Sequence, residues 1–327
     1  MDEFDFINKL KSSCHFHQDV KVGIGDDAAV YKTSEHTHQV VCVDTMVEGV
    51  HFLKHVSTPE EIGYKALAVN ISDIAAMGAI PLYYLVSIAI PSSWKEQELL
   101  NLYQGMKELA NEYEMDLLGG DTVSTADKLV VTVTVIGEVN ANVQTLRSNA
   151  RDGDIVFVTG NVGDSSAGLA LLLEHVTLNN KSHKEYLIQR HKRPTPRVKE
   201  GQFIAKLERA SLNDISDGLA SELNEISEAS QLGITINEAD LPISEALLEL
   251  GTSHELNKWV LFGGEDFELV GTTSQESWEK LRNECEDQSI SVTKIGTVTS
   301  DHSSVRMVTK DHNTITLEKS GYNHFKR

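Results

Sequence analysis

Cysteine is scarce and scattered. Cys14, Cys42 and Cys285 form an odd, widely spaced set with no CxxC pair. That argues against a disulfide framework and against a zinc site, and it suits a reducing, cytoplasmic setting. Basic residues are also short: 29 Lys and Arg stand against 49 Asp and Glu, a formal net charge of -20. A general nucleic-acid binder is disfavoured, because phosphate backbones need Lys/Arg patches. Acidity leaves room for a nucleotide if Mg²⁺ stands between the two anions. No apolar run approaches the ~20 residues of a membrane span. The opening Met-Asp-Glu-Phe-Asp-Phe is acidic, without a signal peptide's basic start and apolar run. The thirteen His residues are dispersed, and most are expected at the surface. There is no heptad run, low-complexity tract or short-period repeat.

What is present is enough apolar sequence for sizeable cores. Residues of the AVILMFWYC set make up 40% of 327 positions, a length that suits two domains. The chain is organised around Gly23-Ile24-Gly25-Asp26-Asp27-Ala28-Ala29-Val30. Adjacent carboxylates on a glycine turn repel, so a fold that brings them near other acids needs a counter-cation. Taken alone, this stretch fits a polar turn as well as a metal site. Similar segments recur, however: Val43-Asp44-Thr45, Ser72-Asp73, Gly119-Gly120-Asp121-Thr122, Asn213-Asp214-Ile215-Ser216-Asp217-Gly218 and Gly263-Gly264-Glu265-Asp266. Most adjoin a strand-like or small-residue run. They suggest carboxylates held at the ends of core elements.

In order, residues 40–43 read as a buried strand delivering Asp44 at its end. A loop with Glu48, His51 and Phe52 follows, in which His51 suits a structural role or a substrate contact equally. Thr58-Pro59-Glu60-Glu61 starts a helix that runs to about residue 77. Asn70 and Asp73 share a face of it, in an unusually small and apolar stretch. A strand over 82–90, an amphipathic helix over 94–113 and an alternating strand over 129–139 make this half mixed α/β. Residues 140–154, polar and containing Arg147 and Arg151, read as the joint between domains. A strand over 155–158 leads through Gly160–Ser165 into a helix over 166–174. That glycine loop lacks the features of a P-loop or a GxGxxG motif and reads as a plain turn. Residues 179–182 read as a loop, and Arg193-Pro194-Thr195-Pro196-Arg197 interrupts helical sequence. A helix over 219–231 follows Asp214–Gly218. There Ser216 or Asp217 suits an N-cap, while the pair of acids equally suits metal and phosphate. Strands are expected over 267–271, 291–296 and 315–318.

Oxygen ligands without a Cys/His constellation favour Mg²⁺ over zinc. Acids on several separate segments suggest more than one ion. That points to phosphoryl transfer, with Arg147 stabilising charge on the phosphates. A carboxylate-based two-metal phosphohydrolase is the competing chemistry, though His ligands at regular spacing are missing. A Ca²⁺-binding module fits least, because no EF-hand loop is present.

Taken together, and with Gly321-Tyr322-Asn323-His324-Phe325 near the end, these segments resemble the thiamine-monophosphate kinase family, in the family's order and over nearly the whole chain. The wider group is similar to aminoimidazole ribonucleotide synthetase, selenophosphate synthetase and a hydrogenase maturation factor, and another ATP-dependent enzyme of that group is the alternative. The resemblance implies a two-domain synthetase-like α/β (α+β) fold. Residues 1–139 would form an ATP/Mg-binding domain whose sheet dimerises, and residues 150–327 a C-terminal α/β domain. It implies ATP-dependent phosphorylation of thiamine monophosphate, with several Mg²⁺ ions and a homodimer. By resemblance, Asp27, Asp44, Asp73, Asp121, Asp214 and Asp217 would hold Mg²⁺, with Cys42, Val43 and Thr45 contributing through the same strand. Tyr103, Gly120, Asp121, Arg147 and Ser216 would contact ATP, Asp121 and Arg147 also serving catalysis electrostatically. His51, Glu265 and Tyr322 would contact the thiamine phosphate. The acceptor phosphate is already ionised near neutral pH, so no general base is assigned.

Overall fold

The computed structural model describes residues 19–319 apart from Ile24, Gln144, Thr252 and Ser289. Tyr322 and Cys14 lie outside the described residues. The N-terminal half is a sheet of β1 (Val20–Val22), β2 (Ala29–Lys32), β3 (Thr37–Val47), β4 (Ile80–Ile90), β5 (Asp116–Ser124) and β6 (Val130–Asn140). Among the described residues its order is β1-β2-β3-β6-β4-β5. All neighbours are antiparallel except β4 and β5. The alternation in β6 works as expected: Val131, Val133 and Val135 are fully buried, and Thr132 and Thr134 face the other way.

On the buried face lie α1 (Pro59–Ala76) and α2 (Glu96–Glu112). The Thr58 side chain accepts from the Glu61 backbone N–H while the Glu61 side chain caps Thr58, a reciprocal box that fixes where α1 begins. Beyond its first turn α1 is buried almost all round. It must therefore be packed from every side. Gly63 and Gly105 let α1 and α2 approach backbone to backbone.

The C-terminal half is built on β7 (Ile155–Thr159), β8 (Ala210–Asp214), β9 (Gly233–Asn237), β10 (Leu269–Thr273), β11 (Val292–Thr299), β12 (Val305–Val308) and β13 (Thr314–Thr316). Their order is β13-β12-β9-β11-β7-β10-β8. Around them run α3 (Asp164–Leu172), α4 (Lys181–Lys192), α5 (Val198–Ala205), α6 (Leu219–Ser230), α7 (Glu245–Leu250), α8 (Ser253–Phe262) and α9 (Gln275–Asp287). The larger apolar core spans both halves, joining Leu67 and Ile71 of α1 to Leu212 of β8 and Phe157 of β7. In the joint, the Thr145 hydroxyl donates to the Ala76 carbonyl at 2.6 Å. Among the described residues no helix is long and apolar enough to cross a membrane.

Several elements differ from the sequence reading. Strand β3 continues to Val47, so Asp44 sits inside it, opposite Val133 of β6. Residues 179–182 are not simply a loop, because Asn180 caps α4 through its side chain. Helix α6 is capped by Gly218 without a side-chain bond, which leaves Ser216 and Asp217 clear of that duty. Strand β10 begins at Leu269 rather than 267, since Glu265 and Phe267 both take left-handed backbone angles.

Candidate active site

The segment around Asp26 and Asp27 joins β1 to β2. It carries Asp27 toward Asp73 near the end of α1 and Asp214 at the end of β8. One carboxylate oxygen of each lies within 4.8 Å of the others. Burial raises all three carboxyl groups; repulsion from within the trio adds to it for Asp27 and Asp73, and repulsion from Asp44 adds to it for Asp214. Asp214 is pushed up to about 6 even though the Ser72 hydroxyl donates to it at 2.7 Å. Asp27 Oδ2 is buried and has no hydrogen-bond partner among the described residues. Buried anions in this state call for a cation. An all-oxygen set with an orphaned oxygen fits a hard ion such as Mg²⁺.

Part of the counter-charge is protein. Arg147, in the joint, pairs with Asp27 and with Glu225 of α6, and its Nε donates to Asn213 at 3.1 Å. Its backbone N–H donates to Asp26. Around it, Glu222 accepts from Asn213 and from the Asp217 backbone. Asn213, Glu222 and Glu225 were not anticipated. The i,i+3 spacing of the two glutamates, just after the Asp214–Gly218 segment, was the available signal. Asp44 is oriented through its backbone, whose N–H donates to Asn70 Oδ1 at 2.9 Å. That is the use of Asn70 on the face it shares with Asp73.

The acids open onto a cleft of about 990 Å³, at the upper end of ligand-pocket sizes. Val43, Asp44, Thr45, His51, Asp73, Arg147, Asp214, Ser216, Asp217 and Glu265 all line it. The His51 ring is fixed by the Val47 N–H, which donates to Nδ1 at 3.0 Å. Glu265 is held in its left-handed turn, where its N–H donates to the Ser216 carbonyl at 2.7 Å. Gly264 has no room for a Cβ, which would lie 2.3 Å from that carbonyl. Lys65 of α1 forms an ion pair with Glu265 at 2.9 Å, and His191 of α4 lies 3.5 Å from its other oxygen. Neither Lys65 nor His191 belongs to a recognisable motif, so no sequence signal pointed to them.

Three predicted residues stand apart from the cleft of their own chain. Asp121 and Gly120 are exposed on β5, the strand at the sheet edge. Asp121 shares a row with Ser87, Thr132 and Thr45 across four strands, about 14 Å from Thr45 at ordinary strand spacing. Gly120 is needed within the sheet itself, since a Cβ there would meet the Val86 carbonyl at 1.8 Å. Tyr103 packs its ring against the core from α2. Cys42 points inward, its thiol donating to the Asn70 carbonyl at 3.2 Å, so only its backbone is available to a ligand. The Gly160–Ser165 turn is confirmed as structural: the Asp266 carboxylate takes the N–H groups of Gly163 and Ser165 that an anion would need.

Family models match both halves of the chain: AIR synthase related protein, N-terminal domain, over residues 25–139, and its C-terminal domain over 151–308. A thiamine-monophosphate kinase of Bacillus subtilis is 57% identical over the full length of both chains. The chain belongs to the thiamine-monophosphate kinase family. The family member of Escherichia coli K12 is 37% identical over 98% of this chain and 96% of its own. Among solved structures, AaThiL complexed with AMPPCP and TMP superposes with a TM-score of 0.83 at 32% identity, covering 99% of this chain and 97% of that one. A thiamine-monophosphate kinase from Stenotrophomonas maltophilia K279a gives 0.78 at 32% identity over 93% and 94%.

Proposed function

We propose that this chain transfers the γ-phosphoryl group of ATP to thiamine monophosphate, giving ADP and thiamine diphosphate. The observation that carries the reading is the buried Asp27–Asp73–Asp214 cluster at the mouth of a ligand-sized cleft, in a family whose member AaThiL was solved with AMPPCP and TMP. Asp27, Asp73 and Asp214, with Asp44 and Asp217 beside them, would hold Mg²⁺, and the strand backbone at Cys42, Val43 and Thr45 offers further oxygens. Bound there, Mg²⁺ supplies charge neutralisation between the carboxylates and the phosphates. Arg147 adds positive charge near the transferring group, and Ser216 offers a hydroxyl to the nucleotide phosphates. His51 and Glu265 hold the acceptor, and by the family resemblance Tyr322 would contact it as well. A phosphate oxygen of the acceptor, already ionised, attacks γ-phosphorus in line, so no residue acts as general base. The protein's share is positioning and electrostatics.

Tyr103, Gly120 and Asp121 belong to the ATP site through a homodimer. The outer sheet face leaves Val43, Tyr83 and Val123 uncovered at 59%, 37% and 48% exposure. An apolar sheet face of that kind marks an interaction surface. A second copy stacked on it brings its β5 toward the cluster of the first. The reaction suits the cytoplasm, where Cys42 and Cys285 stay reduced. The test is a coupled assay of ADP release with ATP and thiamine monophosphate, with and without Mg²⁺. ADP and thiamine diphosphate should appear together and only with the metal. ATP hydrolysis indifferent to thiamine monophosphate overturns the reading.

A further inference from the structure

Lys65 is an unusual presence on the cleft wall. Its side chain is 5% exposed. Its ammonium is 2.9 Å from Glu265 Oε1, yet it makes no well-angled hydrogen bond among the described residues. A buried ammonium with spare donors is costly unless something completes it. The neighbouring Glu265 carboxylate keeps unused lone pairs and is 30% exposed toward the cleft. His191 cannot supply a second cation here, because burial and the nearby Lys65 hold its imidazole neutral, at about 3.

The position of the pair along α1 says which end of the acceptor it meets. Glu61, Lys65, Val69 and Asp73 recur at every fourth position, and all four line the cleft. Helix α1 therefore runs along the cleft like a ruler. Lys65 and Asp73 are just over two turns apart, about 12 Å along the axis. Asp73 belongs to the carboxylate cluster where phosphates react. Lys65 and Glu265 thus face the far end of an extended acceptor, away from its phosphate.

In thiamine monophosphate that far end is an aminopyrimidine. Its edge shows an amino donor beside a ring-nitrogen acceptor. Glu265 accepts only, and Lys65 donates only. We propose that Lys65 and Glu265 together read this edge, Glu265 accepting from the amino group and Lys65 donating to the ring nitrogen next to it. The inference rests on the proposed kinase reading and assigns Lys65 as a specificity-determining residue of that site.

The experiment compares wild type and Lys65→Met with two acceptors: thiamine monophosphate, and its analogue with carbon replacing that ring nitrogen. Loss of one charge-assisted hydrogen bond should raise the acceptor KM about tenfold or more. Wild type should show this rise with the analogue. Lys65→Met should show it with thiamine monophosphate and should treat both acceptors alike. The KM for ATP should not change, and kcat at saturation should stay within about threefold, because the bond lies far from the reacting phosphates. A wild type that uses both acceptors equally overturns the inference, whether or not the variant folds. A variant that loses kcat at unchanged acceptor KM also overturns it. A wild type inert toward thiamine monophosphate removes the kinase reading and this inference with it, whereas an active wild type indifferent to the ring nitrogen removes only the inference.

Discussion

His191 shows how one buried side chain writes itself into the pH dependence of the fold. It faces Ser165, Glu265, Lys65 and Lys192, and its Nδ1 lies 3.2 Å from the Ser165 hydroxyl. Burial is the largest cause of its low pKa, about 3 against an ordinary 6.5, and the two lysines push the same way. The unfolded chain takes up a proton as pH falls through 6.5, while the folded chain does not until about 3. Between those values the unfolded state binds more protons, so acidification removes stability at up to about 1.4 kcal/mol per pH unit. Replacing the imidazole by an amide deletes that slope. Denaturant melts of wild type and His191→Gln between about pH 6.5 and pH 5 should therefore diverge, the variant losing less stability on acidification. The buried carboxyls of the cluster, raised in the folded state, change stability in the opposite sense over part of this range. They are common to both proteins and cancel in the comparison. Parallel slopes would show that His191 takes its proton in the folded state and is open to solvent.

Between elements, the α1–α2 contact is decided by backbone rather than by side chains. A Cβ at Gly105 would lie 1.9 Å from the Glu60 carbonyl, and one at Gly63 would lie 1.8 Å from that of Leu102. In an isolated helix Gly→Ala gains about 1 kcal/mol from propensity. Here the helices must part to admit a methyl group, and overpacking of this kind costs about 1–3 kcal/mol. The second effect should win, so Gly105→Ala should unfold at lower denaturant than wild type. An unchanged or higher midpoint would mean that the helices separate freely. Much of this layer was legible beforehand. Thr58, Pro59 and Glu61 announced the start of α1, and β6 alternated cleanly, because these signals are local. Strand β8 was not legible, although every residue of it is buried. Its Ser211 and Asn213 break the apolar pattern and are satisfied by groups outside the strand, Ser211 by Thr272 and Asn213 by Glu222 and Arg147. The same division runs through the candidate site. Asp27, Asp73 and Asp214 stood out as acids beside glycine or small residues, whereas Lys65 and His191 acquire meaning only when α1 and α4 meet Glu265.

At the scale of the whole molecule, the placement of Asp121 needs explanation. It is solvent-exposed, and its carboxylate accepts from the N–H of the next residue, Thr122, at 2.9 Å. Nothing among the described residues of its own chain gives it the metal role that the resemblance implies, and it stands on a sheet face where Val43, Tyr83 and Val123 are uncovered. A second copy resolves both facts if Asp121 completes the partner's site and not its own. Complementation then distinguishes the two arrangements. Asp121→Asn and Asp27→Asn should each abolish turnover as homodimers. Asp121→Asn should leave the apo melting temperature nearly unchanged, because an exposed carboxylate loses little on becoming an amide. When the two variants are unfolded together and refolded, mixed dimers form. One of the two sites in a mixed dimer then pairs an intact Asp27 with an intact Asp121. Random pairing makes half the dimers mixed, so activity should return to about one quarter of wild type, the residual from two inactive parents being negligible. If Asp121 acted within its own chain, every site in the mixture would lack one carboxylate and activity would stay at the parental background. Sedimentation of the same samples checks that dimers are present. A monomer with full activity would remove the shared site altogether and would require β5 to move toward the cluster within one chain.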